Sequence, residues 1–189
     1  THPLHIPPSE KHPQGDVVTR HGHCASNPSH KDMLSYDEIQ AMTQAHFLDL
    51  VEPPIKSGSL INFPKADIFD PYIRGWVRYW SQVLKPEEPL DLNLVKALIA
   101  SESSVETQKG KPAGKKHGHA RGLMQITDET LSIISGHKKG EVKDHFVCAT
   151  HNEVMDPSTN ICIGVRWLFT KKIDAKARLH HAATWDDTV

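Results

Sequence analysis

Residues 91–106 read DLNLVKALIASESSVE, and this stretch decides the fold. Asp91 is a helix N-cap residue, whose side-chain oxygen takes an otherwise unpaired N–H of the first turn. Leu92, Val95, Leu98 and Ile99 then recur at steps of three and one turn further on, the spacing of a helix with one buried face. The apolar run breaks off at Ser101-Glu102-Ser103-Ser104, which leaves Glu102 at the end of the best helix of the chain. A carboxyl group half desolvated there would keep its proton to higher pH, because burial penalises the charged form. A general acid working near neutrality needs that property. Taken alone, the feature is more simply a helix-end glutamate in solvent. Glu106, one turn later, shares the face and is the rival carboxylate.

Helical signals extend on both sides of this stretch. Ser35 with Glu38 makes a capping box, and Ile39, Met42, His46, Phe47 and Leu50 follow at helical steps until Pro53 and Pro54. A second helix is expected from Pro71 to Leu84. Its Tyr72, Trp76, Tyr79, Trp80 and Val83 read as core rather than as a sugar platform. Lys85-Pro86-Glu87-Glu88-Pro89 is a hinge. Residues 107–121, TQKGKPAGKKHGHAR, carry glycines, a proline and many cations and read as a loop. Thr127 to Ser135 reads as another helix. Asp156-Pro157 starts one more, with Ile161, Val165, Leu168 and Phe169 as its buried stripe. Thr184-Trp185-Asp186-Asp187 is a further helix start. Strand-type alternation is scarce, so the fold class is mainly α.

The composition excludes several functions. With 38 % hydrophobic and 24 % charged residues among 189, the chain is long and apolar enough for one well-filled core. It has no apolar run near the ~20 residues of a membrane-spanning helix. Twenty-two Lys and Arg balance 23 Asp and Glu, which argues against a general nucleic-acid binder. Residues 1–34 form a polar lead-in rich in Pro and His, 35–89 a helical subdomain, and 90–189 the domain carrying the chemistry. His21-Gly22-His23-Cys24 in the lead-in matches no established zinc spacing and reads as solvated linker, with metal binding the outside alternative. Of the three cysteines, Cys148 and Cys162 are a candidate pair, and buried free thiols are an equally good reading of all three. The start at Thr1 lacks the blocks of a signal peptide and reads as that of a fragment or processed product whose export signal lies elsewhere.

Three blocks in order carry a resemblance. Ala97-Leu98-Ile99-Ala100-Ser101-Glu102-Ser103, then Arg121-Gly122-Leu123-Met124-Gln125-Ile126, then Asp156-Pro157 with Asn160, Ile161 and Gly164 resemble the soluble lytic transglycosylases, relatives of goose-type lysozyme. Each block alone is weak; the ordered set over residues 90–189 is strong. The resemblance implies a lysozyme-like, mainly α domain that cuts the β-1,4 bond between N-acetylmuramic acid and N-acetylglucosamine in peptidoglycan, without metal or cofactor. It implies Glu102 as the catalytic acid and Ser103 as a residue that helps hold the muramic sugar. It implies Gly122, Leu123, Met124 and Gln125 as the cleft floor, with Gln125 facing the sugar, and Asn160 as support for that block. Arg121 is added as the cation nearest the floor.

The resemblance also bears on the reaction. Goose-type relatives place an aspartate directly after the Met-Gln-Val/Ile block, where this chain has Thr127; Asp128 comes one residue late. Asp128 and Glu106 are thus weak second acids, which favours a single-acid transglycosylation over hydrolysis by water. A muramidase and a non-catalytic peptidoglycan-binding module are the alternatives. Lys109, Lys111, Lys115, Lys116, His117 and His119 either attract the carboxylates of the wall or form a solvated excursion, the second being the simpler reading. Relatives continue into a Tyr-Asn segment beyond the point where this chain ends at Val189, so the catalytic part is expected to be incomplete. The expected partner is the peptidoglycan strand and the expected site of action is periplasmic or extracellular. A secreted antibacterial role would add an immunity or inhibitor protein.

Overall fold

A computed structural model describes residues 32–49, 52–56, 66–108, 110–179 and 183–188. The His21-Gly22-His23-Cys24 cluster with the rest of residues 1–31, and Leu50 and Lys109, lie outside the described residues.

Helices dominate. α1 (Tyr36–Met42) starts at the expected capping box: Ser35 Oγ accepts from the Glu38 N–H while Glu38 Oε2 accepts from the Ser35 N–H at 2.7 Å. It runs on as a π-helical turn, Thr43–Phe47, which buries Phe47 and leaves His46 exposed. α2 (Asp70–Leu84) has Pro71 in its first turn and ends at Lys85 in the left-handed conformation. α3 (Leu92–Ser103) is capped by Asp91, which accepts from the Asn93 N–H at 2.9 Å. α4 (Asp128–Ile134) is capped by Thr127, and α5 (Pro157–Leu179) begins beneath Asp156, which accepts from the Thr159 N–H at 2.8 Å.

α5 is the axis of the core. Ile161, Cys162, Ile163 and Val165 are all fully buried, so its first half is covered all round, as befits a central helix. α2 packs along it through its tryptophans, which are core as expected. Trp76 Nε1 donates to Ser158 Oγ at 2.8 Å and Trp80 Nε1 donates to the Cys162 carbonyl at 3.0 Å. A buried indole N–H needs such a partner, and the two bonds fix the register of α2 on α5. One apolar cluster joins Ile39, Trp76, Ile99, Leu123, Ile134 and Phe169, and so runs across the boundary at residues 89/90. The segment after α5 folds back: Trp185 Nε1 donates to the Pro89 carbonyl at 2.8 Å and its ring meets Phe169 edge-on.

The stretch read as a loop contains strands. β2 (Gly110–Pro112) and β3 (His119–Arg121) form an antiparallel hairpin, and β4 (Ile126–Thr127) adds to it with Ala120 opposite Thr127. Strands of two and three residues are too short to show alternation. A second pairing joins β1 (Leu34–Ser35) in parallel to β5 (Val147–Cys148), so the end of the expected lead-in is structured. Cys162 is a free, buried thiol and Cys148 is disulfide-bonded, which rules out the Cys148–Cys162 pair and the reading of Cys148 as a free thiol. No helix among the described residues is long and apolar enough to cross a membrane.

Candidate active site

Glu102 sits in the last turn of α3, seven residues after Val95 and three after Ile99, both buried. That places it at the edge of the helix face that enters the core, and it is half-buried. It has no hydrogen bond or ion pair among the described residues. The chain then turns sharply: Ser104 has φ 55° and Val105 φ 65°. A β-branched residue in the left-handed region is strained, and such strain persists only where the surroundings enforce it. The Ser104 N–H donates to Ala100 O at 2.9 Å and the Glu106 N–H to Ser103 O at 3.1 Å, which closes the turn. Val105 packs against the core, whereas Glu106 is exposed.

Ser103 is fully buried, and its Oγ donates to the Ile99 carbonyl at 2.9 Å. Its side chain therefore lies along its own helix.

The hairpin leads from this turn to the second block. Arg121 closes β3, and Gly122 to Gln125 form a tight turn before β4. Gly122 has φ +72°, and a Cβ on it would come 2.7 Å from Asn160 Cγ, so glycine is required by conformation and by space. Asn160, fully buried on α5, fastens the turn. Its Nδ2 donates to the carbonyls of Arg121 at 3.0 Å and Val154 at 2.9 Å, and its Oδ1 accepts from the Met124 N–H at 2.7 Å. Gln125 has φ 47°; its Nε2 donates to the Gly122 carbonyl at 2.8 Å. The Leu123 side chain is wholly in the core, and those of Met124 and Gln125 are buried almost as far. The block is thus a backbone turn braced from below. Of it, Arg121 is the most exposed, and its guanidinium is directed at Asp128 and the His119 carbonyl.

Asp128 and Glu129 anchor the hairpin to α4. Asp128 accepts from the His119 N–H at 2.8 Å, pairs with Arg121, and lies 3.4 Å from His151 Nε2. Burial pushes its carboxyl up, but the His119 N–H and Arg121 outweigh that and hold it below its ordinary value. Glu129 is likewise lowered, by Lys138 and then by His117, both of which pair with it. Both carboxylates are engaged with cations, and Asp128 has no proton to give near neutrality. Sequence reasoning named Asp128 but not its role as an anchor; Gly118, whose added Cβ would come 2.7 Å from Asp128 Cβ, is the one local sign of that contact.

A second charged feature escaped the sequence reading. Lys96 on α3 is buried, pairs with Asp67 and with Asp70 at 2.8 Å, and donates to the Ile55 carbonyl at 3.1 Å. Its place on the apolar face of α3 was the available signal. Among the described residues no group of three His, Cys, Asp or Glu side chains could hold a metal ion.

The family model for the transglycosylase SLT domain matches residues 81–183, more than half of the chain, from within α2 to the segment after α5. No curated protein and no solved structure matches. SLT domains are peptidoglycan lytic transglycosylases and act outside the cytoplasm. With Glu102, the hairpin, the Gly122 turn and Asn160 all inside the matched span, the chain belongs to the transglycosylase SLT domain family.

Proposed function

We propose that Glu102 alone supplies the acid and the base for cleavage of the bond between N-acetylmuramic acid and N-acetylglucosamine. The carboxyl gives its proton to the glycosidic oxygen as the C1–O4 bond breaks. The substrate's own N-acetyl carbonyl stabilises the charge that develops at C1. The carboxylate then takes the proton from the C6 hydroxyl as O6 bonds to C1, which closes a 1,6-anhydro ring and returns Glu102 to its acid form. No water is consumed, because a hydroxyl already held at the reaction centre replaces it. In this reading the Gly122–Gln125 turn frames the sugar, with main-chain groups rather than the buried Leu123 and Met124 side chains meeting it, and the buried Ser103 holds the end of α3 from behind.

The observation that carries the reading is the contrast between carboxylates. Glu102 is half-buried with no partner among the described residues, whereas Asp128 is tied to Arg121 and the His119 N–H. A hydrolase would need a second carboxylate placed to activate water. Glu102→Gln keeps the shape and removes the titrating group. It should slow clearing of cell walls on the order of 10²–10⁴-fold, the usual worth of a general acid. Equal clearing by both forms would leave a non-catalytic or differently catalysed domain.

The site of action fits an oxidising compartment, since Cys148 is disulfide-bonded. An antibacterial use, with an immunity or inhibitor protein as partner, belongs to the same proposal. Export of the chain to the periplasm of a bacterium without such a partner should then lyse it, and normal growth would remove that part.

A further inference from the structure

We infer that the tip of the β2–β3 hairpin and the loop after α4 form one cationic surface that binds the carboxylates of peptidoglycan stem peptides. The inference rests on the wall-cutting reading and names the part of the substrate this face recognises. Glu129 brings the two segments together: it pairs with His117 of the hairpin turn and with Lys138 of the loop, and its N–H donates to the His117 carbonyl at 3.4 Å. Lys115, Lys116 and Lys139 flank these residues, are exposed, and have no acidic partner among the described residues. Lysines on α5 behave differently: Lys171 pairs with Glu141, Lys172 with Glu88 and Lys176 with Glu87. In a chain of net charge -1, a face whose acids are already neutralised is left positive.

Reach selects the ligand. β3 ends at Arg121 beside Gly122, and an extended strand rises about 3.3 Å per residue. The three residues of β3 therefore set Gly118, at the end of the hairpin turn, on the order of 10 Å along the strand from the Gly122 turn, and Lys115 and Lys116 follow on the far side of Gly118 in the chain. A lactyl carboxylate attached to the sugar ring itself would stay at the base, where Arg121 is committed to Asp128. A peptide extending from that lactyl group spans the gap.

The test compares soluble glycan strands that retain stem peptides, freed of cross-links by an endopeptidase, with strands stripped of them by an amidase, which exposes the lactyl carboxylates. The proteins are the full chain and Lys115→Gln/Lys116→Gln/Lys139→Gln, each also carrying Glu102→Gln for binding measured by isothermal titration calorimetry. Binding to peptide-bearing strands should fall roughly tenfold on stripping and by a similar factor in the triple variant, and should weaken with salt. kcat/KM should follow the same pattern, with the two proteins alike on stripped strands, which also verifies that the variant is folded. Equal binding to both kinds of strand by the unsubstituted surface would assign the charge to lactyl groups or another wall polymer and overturn the inference. So would a triple variant that binds as well as its parent, or one that loses equally on both substrates. If the chain cleaves neither substrate the proposed reaction fails, while calorimetry still decides whether the lysines bind peptide.

Discussion

Gly122 and Asn160 are fitted to each other: the glycine backbone lies where any side chain would strike the asparagine amide, and that amide makes three hydrogen bonds around the turn. Gly122→Ala meets both a left-handed φ and a steric overlap, and should cost about 1–3 kcal/mol. Asn160→Ala leaves the Met124 N–H and two carbonyls without their buried partner and should cost about 3 kcal/mol. Urea unfolding measures both. Unchanged midpoints would mean that the turn is not braced as described.

Lys96 and Asp70 are a buried pair. Lys96→Met strands the Asp70 carboxylate and should destabilise the chain by about 3–5 kcal/mol. Replacing both, as Lys96→Met/Asp70→Asn, which keeps an acceptor for the Ile55 N–H that Asp70 holds at 2.7 Å, should recover much of the loss. A double variant no better than the single one would show that the charges are not coupled.

The Asp128 carboxyl is held below its ordinary value, so its contribution to stability is in place above the unfolded carboxylate pKa of about 3.9. That contribution is lost as the pH falls through the lower, folded value. Asp128→Asn should therefore be less stable than the parent at neutral pH, and the gap should close in acid. Thermal melts from pH 7 downward test this; a gap that widens in acid would reverse the sign.

Burial pushes the Cys162 thiol well up and hides it from solvent. Thiol reagents should leave Cys162 unmodified until the chain unfolds, as peptide mapping by mass spectrometry would record. Reduction of the disulfide at Cys148 should cost about 2–4 kcal/mol of stability.

The helices were legible because each announces itself locally. Ser35, Asp91 and Thr127 are caps, Pro71 and Pro157 are first-turn prolines, and the apolar steps of α5 match its buried stripe; in α2 and α3 they find Trp76, Trp80, Val95 and Ile99, whereas Tyr72, Tyr79, Val83, Leu92 and Leu98 are only partly buried. The three blocks that carry the family resemblance were legible too, and they lie within the matched residues 81–183. The hairpin was not, since strands of three residues around Lys115 and Lys116 carry no period and the composition is that of a loop. Nor were the contacts between distant positions: Asp128 with Arg121 and His151, Lys96 with Asp70, and the parallel pairing of Leu34 with Val147 depend on the folded chain. Side-chain direction at the site was likewise hidden. Ser103 turns to Ile99 and Leu123 to the core, which leaves Glu102 and the backbone of the Gly122 turn to carry the proposed site.

Mass spectrometry of the muropeptides released from purified sacculi tests the role of Glu102 most directly. The expected result is 1,6-anhydro-muramic ends, one water lighter than hydrolysis products, released by the parent chain and absent with Glu102→Gln. Reducing ends from the parent, or anhydro products still formed at the parent rate by Glu102→Gln, would contradict it.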